Sequence, residues 1–182
     1  MSRVLTFSRT FPSYHPRKGQ PTYFVEKIWK FLWDNEKSNY NPLNGYFQYY
    51  DAAFPTEYFD IKENIHQHTP KGHTIRAGHR WKVGDKFSPR VWSGKPRATK
   101  QITIAPDIEV KKVFDVNIEI TGGIAFSFFI DRKNIPTDEV VRLAKNDGLE
   151  VNDFLNWFAD HPKKKESVFT GQIICWDENI NY

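Results

Sequence analysis

Apolar residues recur along this chain at two spacings, and the switches between them mark out its elements. Arg3 to Phe7 alternates polar and apolar positions, which predicts an N-terminal strand. Phe11 to Pro21 is punctuated by proline and glycine and reads as a loop carrying His15, Arg17 and Lys18. From Thr22 the period lengthens. Phe24, Ile28, Phe31 and Leu32 fall at helical spacing, with Thr22 as N-cap, Glu26 and Lys30 as an i,i+4 pair, and an end near Asp34. Trp29 and Trp33 belong to the core and rim of this helix.

Residues 35–70 lose periodicity, with Asn-Pro, Asn-Gly and Phe-Pro breaks and eight aromatics between Tyr40 and Phe59. Disordered segments are poor in aromatics, so the expectation is an insertion wrapped around a barrel. The alternative is a stacking platform for single-stranded bases, since an aromatic face accepts any base.

Strands follow at His73 to Arg76 and Lys86 to Trp92, joined through a turn at Val83-Gly84-Asp85. Gln101 to Ala105 and Ile108 to Ile120 also alternate, the latter interrupted near Lys111 and Lys112. Thr121-Gly122-Gly123 reads as a hairpin turn into Ile124 to Ile130. After a loop at Asp131 to Pro136, Thr137 is a good N-cap for a short helix with Asp138 and Glu139 in its first turn, stopping at Gly148. A second helix places Val151, Phe154, Leu155 and Phe158 on one face and ends before His161-Pro162. The lysine run at 163–165 reads as a solvated loop, and Phe169 to Trp176 as the last strand, with Cys175 packed in it. This order of elements is α+β, with a mostly antiparallel β-barrel and flanking short helices in a single domain over residues 1–182.

Charge changes the picture more than composition does. Between Lys71 and Lys100 nine Lys or Arg residues face one acid, Asp85, a local +8 in a chain whose total is +4. Two tryptophans and two histidines interleave with them. A concentrated basic segment with planar side chains is the footprint of a site for phosphates and bases. An aromatic share of 16% offsets the low 39% hydrophobic content, because each ring buries a large area. One cysteine excludes an intramolecular disulfide, and no leader or long apolar run appears, so a cytoplasmic location is expected. The histidines at 66, 68, 73 and 79 have no carboxylate or cysteine at metal-ligand spacing, and no phosphate-cradling glycine loop is present; neither metal nor cofactor is expected.

Lys71-Gly72-His73-Thr74-Ile75-Arg76, followed after a basic linker by Lys82-Val83-Gly84-Asp85 and another strand, resembles the core motif of the ASCH superfamily. These are small barrels related to the PUA domains that bind RNA. The pattern is most similar to that of its small N4-acetylcytidine amidohydrolases. The resemblance implies a lysine base at Lys71 and a threonine nucleophile at Thr74. A proton-donating glutamate would fall at Asp147, one methylene shorter than the family's acid. On an uninterrupted strand Lys71 and Thr74 point to opposite faces, and Gly72 is the residue able to bend the chain so that they meet.

Arg76 and Arg80 would depress the pKa of Lys71, as would burial, and a helix C-terminus favours a protonated Asp147. Those charges suit hydrolysis and equally suit a pocket that only binds, in which Lys71 and Arg76 pair with a phosphate. Three readings stand. The first is binding of RNA or of a modified nucleobase or nucleotide, using His73, Arg76, Arg80, Trp81, Lys82, Arg90, Trp92 and Arg97. The second is an amide hydrolase for an acylated cytidine-type nucleoside, using Lys71, Thr74 and Asp147. The third is a protein-interaction or structural component whose contact surface is the aromatic insertion. Against these, Lys71 and Thr74 are ordinary strand-edge residues, Arg76 pairs with Asp85 on the surface, and Trp81 and Trp92 are half-buried barrel residues.

Overall fold

The computed structural model describes residues 2–35, 43–55, 65–121, 125–159 and 166–182. In chain order these form β1 (Arg3–Thr6), α1 (Phe24–Asp34), α2 (Asn44–Ala53), a 3-10 turn (Ile65–Gln67), β2 (His73–Ala77), β3 (Lys86–Trp92), β4 (Gln101–Thr103) and β5 (Ile108–Glu109). There follow β6 (Lys112–Thr121), β7 (Ala125–Ile130), β8 (Lys133–Asn134), α3 (Thr137–Asn146), α4 (Val151–Phe158) and β9 (Glu166–Cys175). The fold is α+β with mostly antiparallel strands. The Gly122-Gly123 hairpin tip, Ile124, Tyr40, Tyr58, Phe59, His161-Pro162 and the 163–165 lysines lie outside the described residues.

The strands form two ladders where one closed barrel is expected. In the smaller, β1 runs parallel to β3, while β4 and β5 share the other edge of β3. The gap between β4 and β5 falls opposite Ser88 and Pro89, where proline has no N–H to give. The larger sheet is antiparallel throughout, in the order β2-β9-β6-β7-β8. At one seam the chain itself passes between the sheets: Val110 accepts from Gly84 N (2.9 Å) and donates to Asp85 O (2.8 Å), and Lys111 N then reaches Cys175 O (2.8 Å). At the other seam, among the described residues, a side chain takes the place of a ladder. Arg76 Nη2 donates to the carbonyl of Thr6 at 2.9 Å.

Alternation assigns the two faces of the larger sheet. Val116, Ile118 and Ile120 are buried on β6, and Phe128 and Phe169 stand beside Ile118 on the same face. That face meets the helices, with Phe128 and Phe154 5.9 Å apart and Phe158 and Phe169 5.1 Å apart. The opposite face, with Thr74, Arg76 and Gln172, looks toward the smaller sheet, where Trp176 packs edge-on against Phe7 and Phe87.

Local details differ from the sequence reading in instructive ways. The N-cap of α1 is Tyr23 in a left-handed conformation (φ 58°), while the Thr22 hydroxyl donates to Ser8 O, tying the turn to the N-terminal strand. Lys30 pairs with Asp34. Helix α3 is capped by Pro136, so Thr137 is its first residue. In the insertion, Phe47 and Tyr50 of α2 pack edge-on against the buried Trp29 of α1, whose indole donates to Ile104 O at 2.6 Å. Arg9 lies 3.5 Å over Phe54. These rings serve packing; Tyr49 stands out in solvent. Among the described residues no helix is long and apolar enough to cross a membrane.

Candidate functional site

Lys71 enters at a junction of three elements. Its N–H donates to Lys27 O of α1 (3.0 Å), and its carbonyl accepts the Trp176 indole N–H just after β9 (2.9 Å). Gly72 N–H donates to Asn146 O at the end of α3 (3.1 Å). With its backbone held on every side, the lysine side chain is fully buried. The ammonium donates to Asp147 Oδ1 at 2.7 Å and to the carbonyl of the same residue, and lies 4.3 Å from the centre of the Phe24 ring.

Asp147 is placed by helix termination. Its N–H makes the last bond of α3, to Leu143 O, and Gly148 then takes the left-handed φ of 80° that ends the helix. Lys27 secures the same turn, donating to Gly148 O (2.6 Å) and Thr22 O (3.2 Å). Burial lowers the Lys71 pKa to about 8; Asp147 opposes the shift, while Arg76 and Lys27 add to it. Burial raises the Asp147 carboxyl, against the pull of Lys71, Arg76 and Lys27. The two groups are thereby drawn together in proton affinity, which suits an acid and a base working near neutrality.

Gly72 has a different task from the one the sequence proposes. It is not among the residues with left-handed φ, and its carbonyl accepts from Trp176 N (3.0 Å), prolonging the β2-β9 pairing. A Cβ at Gly72 would lie 2.9 Å from Asp177 Cβ and from Ile180 Cδ1, so glycine is required by close approach of the C-terminal segment. Ordinary alternation therefore continues into β2. His73 faces α3, and Thr74 and Arg76 face the smaller sheet. Thr74 is buried beside Ile174, and Arg76 packs 5.3 Å over Phe7. The structure brings Lys71 and Asp147 into contact and gives Thr74 the other face of the strand.

The residues expected to touch nucleic acid separate into distinct settings. His73 is fully buried, its Nε2 3.7 Å from Asp147 Oδ1 and its Nδ1 2.8 Å from the Tyr182 hydroxyl. Trp81 is buried too, edge-on to Phe87 at 5.9 Å and roofed by Arg3 at 5.4 Å, with its backbone N–H donating to Gln172 Oε1. Neither ring is available to stack a base. Arg80 and Lys82 are exposed at one end of β3 and Arg97 at the other, roughly 20 Å apart at the rise of a strand. Arg90 and Trp92 lie half-buried between them on the outward face, with Arg90 Nε bonded to Ser88 Oγ at 3.1 Å. Asp85, the presumed partner of Arg76, pairs instead with Arg3 at 3.3 Å.

His68 stacks on Tyr23 and His66 meets Trp33 edge-on. Among the described residues no group of three or more His, Cys, Asp or Glu side chains gathers as metal ligands would. Phe24 and Lys27 of α1 and Trp176 and Tyr182 of the C-terminal segment complete the neighbourhood, and no local pattern in the sequence marks them, since both segments are distant from Lys71 along the chain. No family model, curated protein or solved structure matches this chain.

Proposed function

We propose that this protein binds a modified nucleobase or nucleotide, free or within RNA, at the cationic cluster around Lys71, and that its two sheets are an open variant of the PUA-like, ASCH-type architecture. The observation that carries the reading is the charge balance near Asp147: Lys71 bonds its carboxylate, Lys27 holds the turn that follows it, and Arg76 acts on it at longer range from across β2. A buried set of donors with two positive charges in excess favours a ligand rich in carbonyl or phosphate oxygens. The test is equilibrium binding of N4-acetylcytidine and of a short RNA containing it. Lys71→Met should weaken binding about 10- to 100-fold, the worth of a charge-assisted hydrogen bond. Wild-type protein with no affinity for either probe at millimolar concentration sinks the proposal.

The Lys71–Asp147 contact favours amide hydrolysis as the second reading. Because Thr74 stands on the other face of the strand, neutral Lys71 would take a proton from a water as that water's oxygen attacks the acetyl carbonyl. Protonated Asp147 would deliver its proton to the departing cytosine nitrogen as the C–N bond breaks and acetic acid leaves. Release of cytidine that persists in Thr74→Ala and disappears in Asp147→Asn, with nucleoside binding retained, identifies hydrolysis; binding without release leaves the first reading alone.

A further inference from the structure

His73 Nε2 is a buried nitrogen without a hydrogen-bond partner, and it points at Asp147. The chain of bonds on its far side fixes which proton it carries. Asn146 Nδ2 donates to the Tyr182 hydroxyl at 3.0 Å, so the hydroxyl hydrogen is free to go to His73 Nδ1, 2.8 Å away. The opposite tautomer would leave that hydrogen without an acceptor and aim a bare lone pair at a carboxylate. His73 is held neutral by burial and by the positive charge of Lys71. Its single N–H is therefore on Nε2, the atom facing Asp147.

Tyr182 is itself held from several directions. Lys112 Nζ donates to Ile180 O (2.9 Å) and Asn181 Oδ1 (2.6 Å), and Arg142 donates to Asn181 O (2.6 Å) while lying 5.4 Å over the Tyr182 ring. Phe114 meets the same ring edge-on at 5.4 Å. Residues 176–182 thus form a strap across Gly72 that ends with a hydroxyl against the histidine.

We propose that His73 is a positioning residue: set by Tyr182, it holds a second donor ready beside Asp147, giving that carboxylate two stations, one on Lys71 and one on His73. Oδ1 sits 2.7 Å from Lys71 and 3.7 Å from His73 Nε2. Closing the second distance to hydrogen-bond length takes a shift of about 0.5–1 Å in Asp147. A ligand acceptor that claims the Lys71 ammonium leaves the carboxylate a donor at the other station, so no buried charge is stranded. This last step rests on the binding reading above; the tautomer and the placing of Nε2 beside Asp147 do not.

The groups beside Asp147 are Lys71 and His73, with Lys27 of α1 close by and Arg76 acting from the other face of β2; Tyr182 and Cys175 lie behind. The test is nuclear magnetic resonance of the full chain with labelled histidine and aspartate, without added ligand. The wild type should show neutral His73 with its proton on Nε2 at pH 7; a proton on Nδ1, or an imidazolium, overturns the proposal. Tyr182→Phe should convert this single tautomer to a mixture. His73→Leu should raise the Asp147 titration midpoint by ~1 pH unit, the effect of removing an N–H dipole aimed at the charged form, and His73→Gln, which keeps a terminal N–H, should restore it. An Asp147 midpoint unmoved in a folded His73→Leu also overturns the proposal. Should that variant not fold, the wild-type tautomer and its response to Tyr182→Phe decide. None of these readouts depends on ligand affinity or turnover.

Discussion

The basic run from Lys71 to Lys100 supplies charge to two regions that share a sequence and little else. At its start Lys71 is sealed against Asp147, and Arg76 is folded over Phe7 with its guanidinium spent on a backbone carbonyl. Further on, Arg80, Lys82 and Arg97 stand in water at opposite ends of β3. An ammonium in water is a source of long-range attraction and little more. The same ammonium under Phe24, with one carboxylate for company, is a chemical group with an altered proton affinity. Counting charge along the chain cannot separate the two kinds; the difference lies in what each cation is packed against.

The largest effect should follow from breaking the inner pair on one side. Asp147→Leu leaves the Lys71 ammonium buried without its partner and should lower unfolding free energy by about 3–5 kcal/mol in denaturant titrations. Lys71→Met combined with Asp147→Leu should recover most of that loss, since an apolar pair of similar volume replaces the ions. A double variant as unstable as the single one would show that the ions are held for reasons other than each other.

Next in size is the close packing that brings the strap over the pair. Gly72→Ala places a methyl group against Asp177 and Ile180 and should cost about 1–3 kcal/mol, the usual range for overpacking. If stability is unchanged, the segment 176–182 yields easily, and the enclosure of His73 by Tyr182 is weaker than the geometry states.

The response to pH is of similar size and tests the same enclosure. Between about 8 and the ordinary lysine value of 10.5, the folded chain has released the Lys71 proton while the unfolded chain keeps it. Stability attributable to Lys71 therefore rises with pH across that window. Asp147 acts in the other sense at acid pH: its raised carboxyl holds a proton that the unfolded chain has lost, so its contribution falls as pH climbs from the ordinary 3.8 toward the folded value. Stability measured against Lys71→Met from pH 7 to 11 checks the first sign, and a flat difference would place the amine in water.

What could be read from the sequence was whatever depends on near neighbours. The strand Lys86–Trp92 is found with the bounds its alternation predicts, the break before Lys112 is where two lysines interrupt the pattern, and Gly148 ends α3. The contact of Lys71 with Asp147 joins residues 76 positions apart and could be anticipated only through a motif resemblance. Enclosure was the illegible part. His73 and Trp81 look like surface aromatics in a basic stretch, yet partners from the far end of the chain, Tyr182 and Gln172, draw them inside. Two-residue β8 and helix α2 had no periodic signal to give, and the open seam between β1 and β2 depends on where Arg76 reaches.

The outer region should give the smallest change in stability and the clearest response to salt. Arg80, Lys82 and Arg97 are exposed, so replacing all three with glutamine should alter unfolding free energy by no more than about 0.5 kcal/mol each. If RNA runs along β3 past Arg90 and Trp92, each lost phosphate contact should reduce the slope of log affinity against log salt by about 1, with base preference unchanged. The ends of β3 are far enough apart that Arg97→Gln and Arg80→Gln should act additively. A salt slope indifferent to all three would confine recognition to the inner cluster and make the exposed cations a matter of solubility. A slope that falls with only one end substituted would fix which side of the sheet the strand enters from.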